Sequence, residues 1–191
     1  MQTKYYMGEG PGRKELESVH QERDLGVITT SDLKSSSQCK KSAATGRNVI
    51  AMVRRTFKNL DIEDFRLLYK TYIRPHLEFC VQAWSTHFVK DITILENVQK
   101  AATNLVPRLR KYSYPVRLQM IGIASLEDRR IRGDMIEVYK LLTEKEKIDY
   151  KEFFNFTNAP YSLREHEKKL VKDRSRLDTR KFFFSQRVVN G

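Results

Sequence analysis

From Ser36 onward, apolar residues recur at helical spacing. Cys39, Ala43, Gly46, Ile50, Val53 and Phe57 are separated by 4, 3, 4, 3 and 4 positions, which places them on one stripe of a helix. Asp61 reads as the N-cap of a second helix, with Glu63 and Asp64 in the first turn, where acids suit the helix dipole. Its inward face is Phe65, Leu68, Tyr69, Tyr72 and Ile73; Pro75 kinks or ends it, and the apolar stretch 77–84 resumes the helix beyond. Asp91 is expected to cap a third helix, with Ile92, Leu95, Val98, Ala102 and Leu105 inward and Pro107 closing it. A turn-rich linker over 107–115 follows. Ser125 and Asp128 then form a capping box for a fourth helix, whose expected seam is Ile131, Met135, Val138 and Leu142. Ahead of these helices the pattern changes to short strands over 5–7, 15–19 and 24–30, with the turn-rich segment 8–12 between the first two. The C-terminal third is aromatic and less periodic (Phe153, Phe154, Phe156, Tyr161, then Phe182, Phe183 and Phe184), and predicts loops, a short helix and one packed segment. The expected fold is mainly α, a helical bundle with a small N-terminal β-hairpin or three-strand remnant. Three parts are expected: 1–31, 32–147 and 148–191.

Charge adds what periodicity does not. The chain has 191 residues, with 36 Lys and Arg against 24 Asp and Glu, a formal net charge of +12. The excess sits in two stretches that hold no acid. Residues 33–58 carry Lys34, Lys40, Lys41, Arg47, Arg54, Arg55 and Lys58; residues 97–126 carry Lys100, Arg108, Arg110, Lys111 and Arg117. Segregated positive charge attracts polyanions, nucleic acid above all, although a solvated basic face that only aids solubility has the same composition. Within the first stretch, Lys40, Arg47 and Arg54 follow one another at seven-residue spacing beside the apolar stripe, and Lys41, Arg55 and Lys58 continue around that side. The candidate nucleic-acid-binding residues are therefore Lys40, Lys41, Arg47, Arg54, Arg55, Lys58, Arg108, Arg110 and Lys111. In the linker, Tyr112 and Tyr114 interleave with the bases, which suits either a stacking contact to single-stranded template or a plain exposed loop. Small residues at Ala43, Ala44 and Gly46 permit close approach by a neighbouring helix or by a phosphate backbone alike.

Catalytic patterns are missing from the sequence. The segment 8–12 lacks the Lys-Ser/Thr of a phosphate-binding loop and has Pro where backbone N–H groups are needed. The four histidines match no metal or triad spacing, and His76 with Cys80, at i and i+4, reads as a core or capping pair. Glu127-Asp128 belongs to a helix start, and no Asp-Asp dipeptide occurs. No catalytic residue, metal site or small-molecule substrate is expected. Tyr69, Tyr72, Phe79 and Trp84 are expected in the core. Two distant cysteines suggest a reducing compartment; no secretory leader and no membrane-spanning run is read.

Several phrases are more specific. They are Glu22-Arg23-Asp24-Leu25-Gly26-Val27, Leu33-Lys34 with Gln38-Cys39, Leu68-Tyr69-Lys70, Tyr72-Ile73-Arg74-Pro75-His76-Leu77-Glu78-Phe79-Cys80 and Gln82-Ala83-Trp84. Further on stand Leu95-Glu96-Asn97-Val98-Gln99-Lys100-Ala101-Ala102-Thr103, Leu126-Glu127-Asp128-Arg129-Arg130, Arg132-Gly133-Asp134-Met135 and Arg187-Val188-Val189-Asn190. In this order and spacing they resemble the region after the palm in reverse transcriptases of LINE-type (non-LTR, jockey-like) retrotransposons, from about residue 14 to the end. The resemblance implies a fragment of an RNA-directed DNA polymerase. The family's catalytic aspartates would lie upstream of Met1, with the fingers, most of the palm and the endonuclease also outside the chain, and the family usually continues past Gly191 with a Trp-Asn segment. It implies that residues 1–31 are terminal palm strands near the primer-gripping hairpin, and that the helices are the thumb, with 36–58 lying along the template–primer duplex. The implied partners are RNA–DNA hybrid or duplex nucleic acid and the missing palm and fingers. The implied cofactors, Mg and dNTPs, belong to the parent polymerase and none to this fragment; an intracellular location, nuclear or cytoplasmic, is expected, the resemblance implying the nucleus. The alternative is a non-catalytic relic of such an element, or a helical protein-interaction scaffold.

Overall fold

The computed structural model describes residues 4–8, 12–157 and 169–189. Its architecture is mainly α, with two small antiparallel sheets at the N-terminal end. Strand β1 (Tyr6–Met7) pairs with β2 (Lys14–Glu15), and β3 (Gln21–Asp24) pairs with β4 (Val27–Thr30) in the register Asp24↔Val27 to Gln21↔Thr30. Two strand expectations are corrected here. The strand expected over 15–19 is already over at Glu15, and the run 24–30 is broken at Leu25 and Gly26, whose φ values are 44° and 90°. Two consecutive positive-φ residues make the tight turn whose twist matches a hairpin, so this run divides into a strand end, a turn and β4.

Helix α1 (Ser36–Thr56) buries Cys39, Ala43, Gly46, Ile50 and Val53, the stripe read from spacing. Phe57 is the exception: it is the extended C-cap residue and lies exposed. Helix α2 (Ile62–Leu68) starts as expected, with the Asp61 carboxylate accepting from the Asp64 N–H at 2.8 Å. It runs through a π turn (Tyr69–Ile73) into α3 (Arg74–Glu78). The helix therefore does not stop at Pro75. The Arg74 N–H reaches back five residues to the Tyr69 carbonyl, and this widened turn admits the proline ring in the first turn of α3. The break comes later, at Cys80 with φ 50°, so the stretch 77–84 is split before the short α4 (Val81–Trp84).

Helix α5 (Val89–Thr103) has Phe88 at its N-cap position, with no side-chain cap, which corrects the role given to Asp91. Asp91 lies inside the first turn and is fully buried, accepting from Ser36 Oγ at 2.5 Å and from Thr86 Oγ1 at 3.4 Å. The expected inward residues Leu95, Val98, Ala102 and Leu105 are buried. The segment expected as a linker has structure: a 3-10 turn (Pro107–Leu109) with Leu109 buried, then α6 (Tyr114–Ile121), ended by Gly122 at φ 72°.

Helix α7 (Leu126–Leu142) has the expected cap, Ser125 Oγ accepting from the Asp128 N–H at 3.0 Å. Its expected seam holds only in the second half: Val138 and Leu142 are partly buried and pack inward, whereas Ile131 and Met135 are 56% and 41% exposed and the buried residues are Leu126, Arg130, Asp134 and Leu141. The inner face is polar because Arg187 reaches it with two parallel hydrogen bonds to the Asp134 carboxylate, at 2.8 and 2.9 Å, and a third to the Gln82 carbonyl at 2.9 Å. A 3-10 turn (Tyr150–Glu152), α8 (Asp178–Lys181) and α9 (Phe184–Arg187) follow, and Leu141, Phe154, Phe184 and Val188 form a second apolar cluster. Tyr161 lies outside the described residues.

The main core joins α1 to α3, α5 and α6 through Phe65, Tyr69, Ile73, Leu77, Val98 and Ile121. Of the four aromatics expected there, Tyr69 and Trp84 are buried, whereas Tyr72 and Phe79 are about half exposed. Phe79 is at the surface because it precedes the left-handed Cys80, where α3 ends; Tyr72 sits on the outer side of the π turn. His76 and Cys80 are exposed too, so neither is a core residue; Cys80 stands at the N-cap position of α4 without a side-chain hydrogen bond to it.

Helices α1 and α5 run side by side in the same direction: Ser36 meets Asp91 near their N-termini, and Gly46 lies against Val98 midway. A Cβ at position 46 would sit 2.9 Å from Val98 Cγ1 and 3.1 Å from Leu77 Cδ2. The small residue is there for helix packing. Gly46→Val is expected to lower stability by about 1–3 kcal/mol through overpacking, whereas Ala44→Val, on the exposed side, should lower it by no more than about 0.7 kcal/mol; urea unfolding of the two variants checks the difference.

Candidate nucleic-acid interface

Burying Cys39, Ala43, Gly46, Ile50 and Val53 fixes how α1 is rotated. The stripe one residue further on then faces outward: Lys40, Ala44, Arg47, Ala51 and Arg54, with Lys58 just past the C-cap, repeat the same 4, 3, 4, 3 and 4 spacing. All six are exposed. Lys40, Arg47 and Arg54 are each one heptad apart, roughly 10.5 Å at 1.5 Å per residue. The alanines between them leave room for a polyanion to come close to the helix. Arg55 and Asn48 are exposed on the adjoining line. Among the described residues, none of Lys40, Arg47, Arg54, Arg55 and Lys58 forms an ion pair. Arg54 and Arg55 also complement the negative end of the helix, which holds the last turn together without neutralising them.

Lys41 is placed differently. It is half-buried and donates to the Gly26 carbonyl at 3.3 Å, linking α1 to the turn of the β3–β4 hairpin. Arg108, Arg110 and Lys111 are exposed beyond the C-terminus of α5. Because α1 and α5 are parallel, this cluster shares one end of the bundle with Arg54, Arg55 and Lys58. Arg110 donates through Nε to the Asn104 carbonyl at 2.9 Å, and the Lys111 ammonium lies 5.2 Å from the Tyr112 ring centroid. Of the other bases in this acid-free stretch, Lys100 is exposed and Arg117 is buried, donating to Asn104 Oδ1 and lying over the Tyr114 ring. Arg117 therefore braces α6 and offers nothing to a ligand. The spacing argument picked out the bases of α1 but passed over Ala51 and Asn48. The signal for Ala51 is the apolar stripe's own interval, shifted by one position.

No reactive constellation accompanies this face. Among the described residues, no group of three or more His, Cys, Asp and Glu is placed to hold a metal ion, and no helix is long and apolar enough to cross a membrane. The Cys39 thiol is pushed up to about 12, first by burial and then by the nearby Asp91 carboxylate. Compared with protein-family models, curated proteins and solved structures, the chain matches none.

The two thiols should behave oppositely. At pH 8 a thiol reagent is expected to label one cysteine rapidly, exposed Cys80, with Cys39 reacting only on unfolding; rapid labelling that survives Cys80→Ala would contradict this burial. The raised Cys39 value has a further consequence. An unfolded chain releases this proton near 9.0 and the folded one near 12, so the thiol's contribution to stability is full below about pH 9 and is lost as pH rises toward 12. Denaturant midpoints at pH 8 and pH 10.5, compared between wild type and Cys39→Ala, should show a smaller alkaline loss in the variant.

Proposed function

We propose that this chain is a sequence-independent nucleic-acid-binding module, a thumb-like bundle that holds a template–primer duplex through phosphate contacts made by α1. The observation that carries this reading is the outward line of Lys40, Arg47 and Arg54 with alanines between, free of ion pairs among the described residues. A polymerase must hold its duplex whatever its sequence, so contacts to phosphate rather than to base edges are the chemistry required. An RNA–DNA hybrid is expected to resemble A-form RNA, whose minor groove is wide and shallow and can be followed by a helix with small residues on its contact line. The resemblance to LINE-type reverse transcriptases supports the same role for the same helix. On this reading the chain binds and does not polymerise: nucleotide incorporation, with its Mg and dNTPs, belongs to the palm of the parent enzyme, and a nuclear location follows from the family. Arg108, Arg110 and Lys111 extend the cationic surface at the far end of α1.

A second reading, a protein-binding scaffold, has one observation in its favour. Ile131, Met135, Ile136 and Tyr139 stand exposed on the outer side of α7. That surface is unrelated to the α1 line, so the two readings separate cleanly.

If about four or five bases engage phosphates, log K for an RNA–DNA hybrid should fall with log salt at a slope of roughly −4. Arg47→Glu with Arg54→Glu should weaken hybrids of different sequence equally and make the slope shallower by about 2. A filter-binding titration giving the same slope for wild type and double variant would remove α1 from the interface.

A further inference from the structure

A concave feature lies away from the α1 line, where the β3–β4 hairpin, α4 and the C-terminal α8–α9 segment meet. Its volume is ≈ 410 Å³, within the usual range for ligand sites, and its walls are rich in rings: Trp84, His87, Phe88, Phe182 and Phe183. His87 stacks on Phe182 with centroids 3.8 Å apart and planes at 8°, and tilts against Phe88 at 4.1 Å. Burial, the largest influence, holds the His87 imidazole below its ordinary pKa despite nearby Asp178.

The polar groups of the cavity are arranged for a particular kind of guest. Thr29, Ser85, Asp178 and Thr179 line it, and among the described residues none of their side chains makes a hydrogen bond or ion pair. The two cations of the lining are engaged, Lys34 with Asp32 at 3.0 Å and Arg187 with Asp134 at 2.8 Å, and further cations surround the walls. Lys90 lies 5.4 Å from the Phe88 centroid, Lys181 5.2 Å from Phe182, and Arg180 5.8 Å from Phe183. All three are exposed and without an ion pair among the described residues. A cationic guest is disfavoured, because these rings already carry positive charge against their faces. A phosphate inside is disfavoured by the unpaired Asp178 carboxylate. A flat neutral ring with N–H donors suits the interior, and phosphates suit the surrounding cations.

We propose that this cavity receives one unstacked base of a single-stranded nucleic acid, with the flanking phosphates lying against Lys90, Arg180 and Lys181. The base slots among the aromatic walls and offers its donor edge to Asp178, with Thr29, Ser85 and Thr179 available to its remaining polar atoms. The site rests on different residues from the duplex-binding line of α1 and takes a different form of nucleic acid.

The test uses the full chain and a short single-stranded oligonucleotide carrying 2-aminopurine at its centre, beside an abasic oligonucleotide of the same length. Binding should quench the 2-aminopurine fluorescence, and the abasic strand should bind at least about 5-fold more weakly, the lower end of what one stacked base contributes. Phe183→Ala, at a half-exposed ring, and Lys181→Glu, on the surface, should each reduce affinity several-fold. The Arg47→Glu, Arg54→Glu variant should retain the quench while losing hybrid binding, so the two sites fail independently. Equal affinity for the abasic strand with no quench would mean phosphate attraction alone and would overturn the proposal. Absence of single-strand binding, or loss of affinity only in the α1 variant, would overturn it as well.

Discussion

Close contact of α1 with α3 and α5 at Gly46 is the constraint from which the rest follows. With no side chain at this position, the α1 backbone comes within reach of Val98 and Leu77. Rotating α1 by one residue would bring Arg47 into that contact and expose Ile50 and Val53, losing apolar burial and stranding a charge. The packing therefore sets the orientation of a line of bases that touch nothing in the core. A cationic face here is a geometrical consequence of an apolar one, and its straightness comes from two interleaved stripes of equal spacing.

Buried polar links fix the remaining elements against this pair. Asp91 ties the start of α5 to Ser36 at the start of α1, and Tyr69 reaches Gln99, whose amide donates to the Ala124 carbonyl at 3.0 Å. Glu96 accepts from the Tyr114 hydroxyl at 2.6 Å and from the Leu126 N–H at 3.1 Å, joining α5 to α6 and to the start of α7. Arg129 chelates Glu78 across the α3–α7 contact, and Arg187 does the same to Asp134. Links of this kind specify one arrangement, since breaking any of them leaves a polar group without its partner in a poorly solvated place. They also set the aromatic cavity, because Arg187 holds α9 against α4 and α7, and α8 precedes it by only a few residues.

Where one face of a helix meets apolar neighbours, the sequence was easily read. The stripe of α1, the caps Asp61 and Ser125, and the inward residues of α5 follow from spacing and from the chemistry of helix ends. The first half of helix α7 was misread because two stripes compete there, while Val138 and Leu142 further on do face inward. The more apolar one, Ile131 and Met135, is outside, and the one inside contains Arg130 and Asp134; the residue that satisfies Asp134 lies far along the chain, beyond the reach of any periodicity. Asp91 looked like a cap because acids favour helix starts, yet its partners Ser36 and Thr86 are tertiary. Leu25 and Cys80 take positive φ without being glycine, so the turns they make carry no compositional warning. For the basic residues, spacing gave the α1 line, but it could not tell Lys41, engaged with the hairpin turn, or buried Arg117 from the exposed bases. The aromatic cavity was invisible, since its walls come from three widely separated segments of the chain.

The most direct examination of the α1 line is proximity. Ala51 lies between Arg47 and Arg54 and has no packing role, and Cys39 is too buried to react, so Ala51→Cys in a Cys80→Ser background accepts a photocrosslinker at one place. Irradiation with an RNA–DNA hybrid should crosslink the duplex from position 51 and not from Thr71→Cys, an exposed control on the π turn, and excess unlabelled hybrid should compete the product away. Crosslinking from position 71 but not from 51, or from neither while the hybrid is bound, would show that this helix does not face the phosphates.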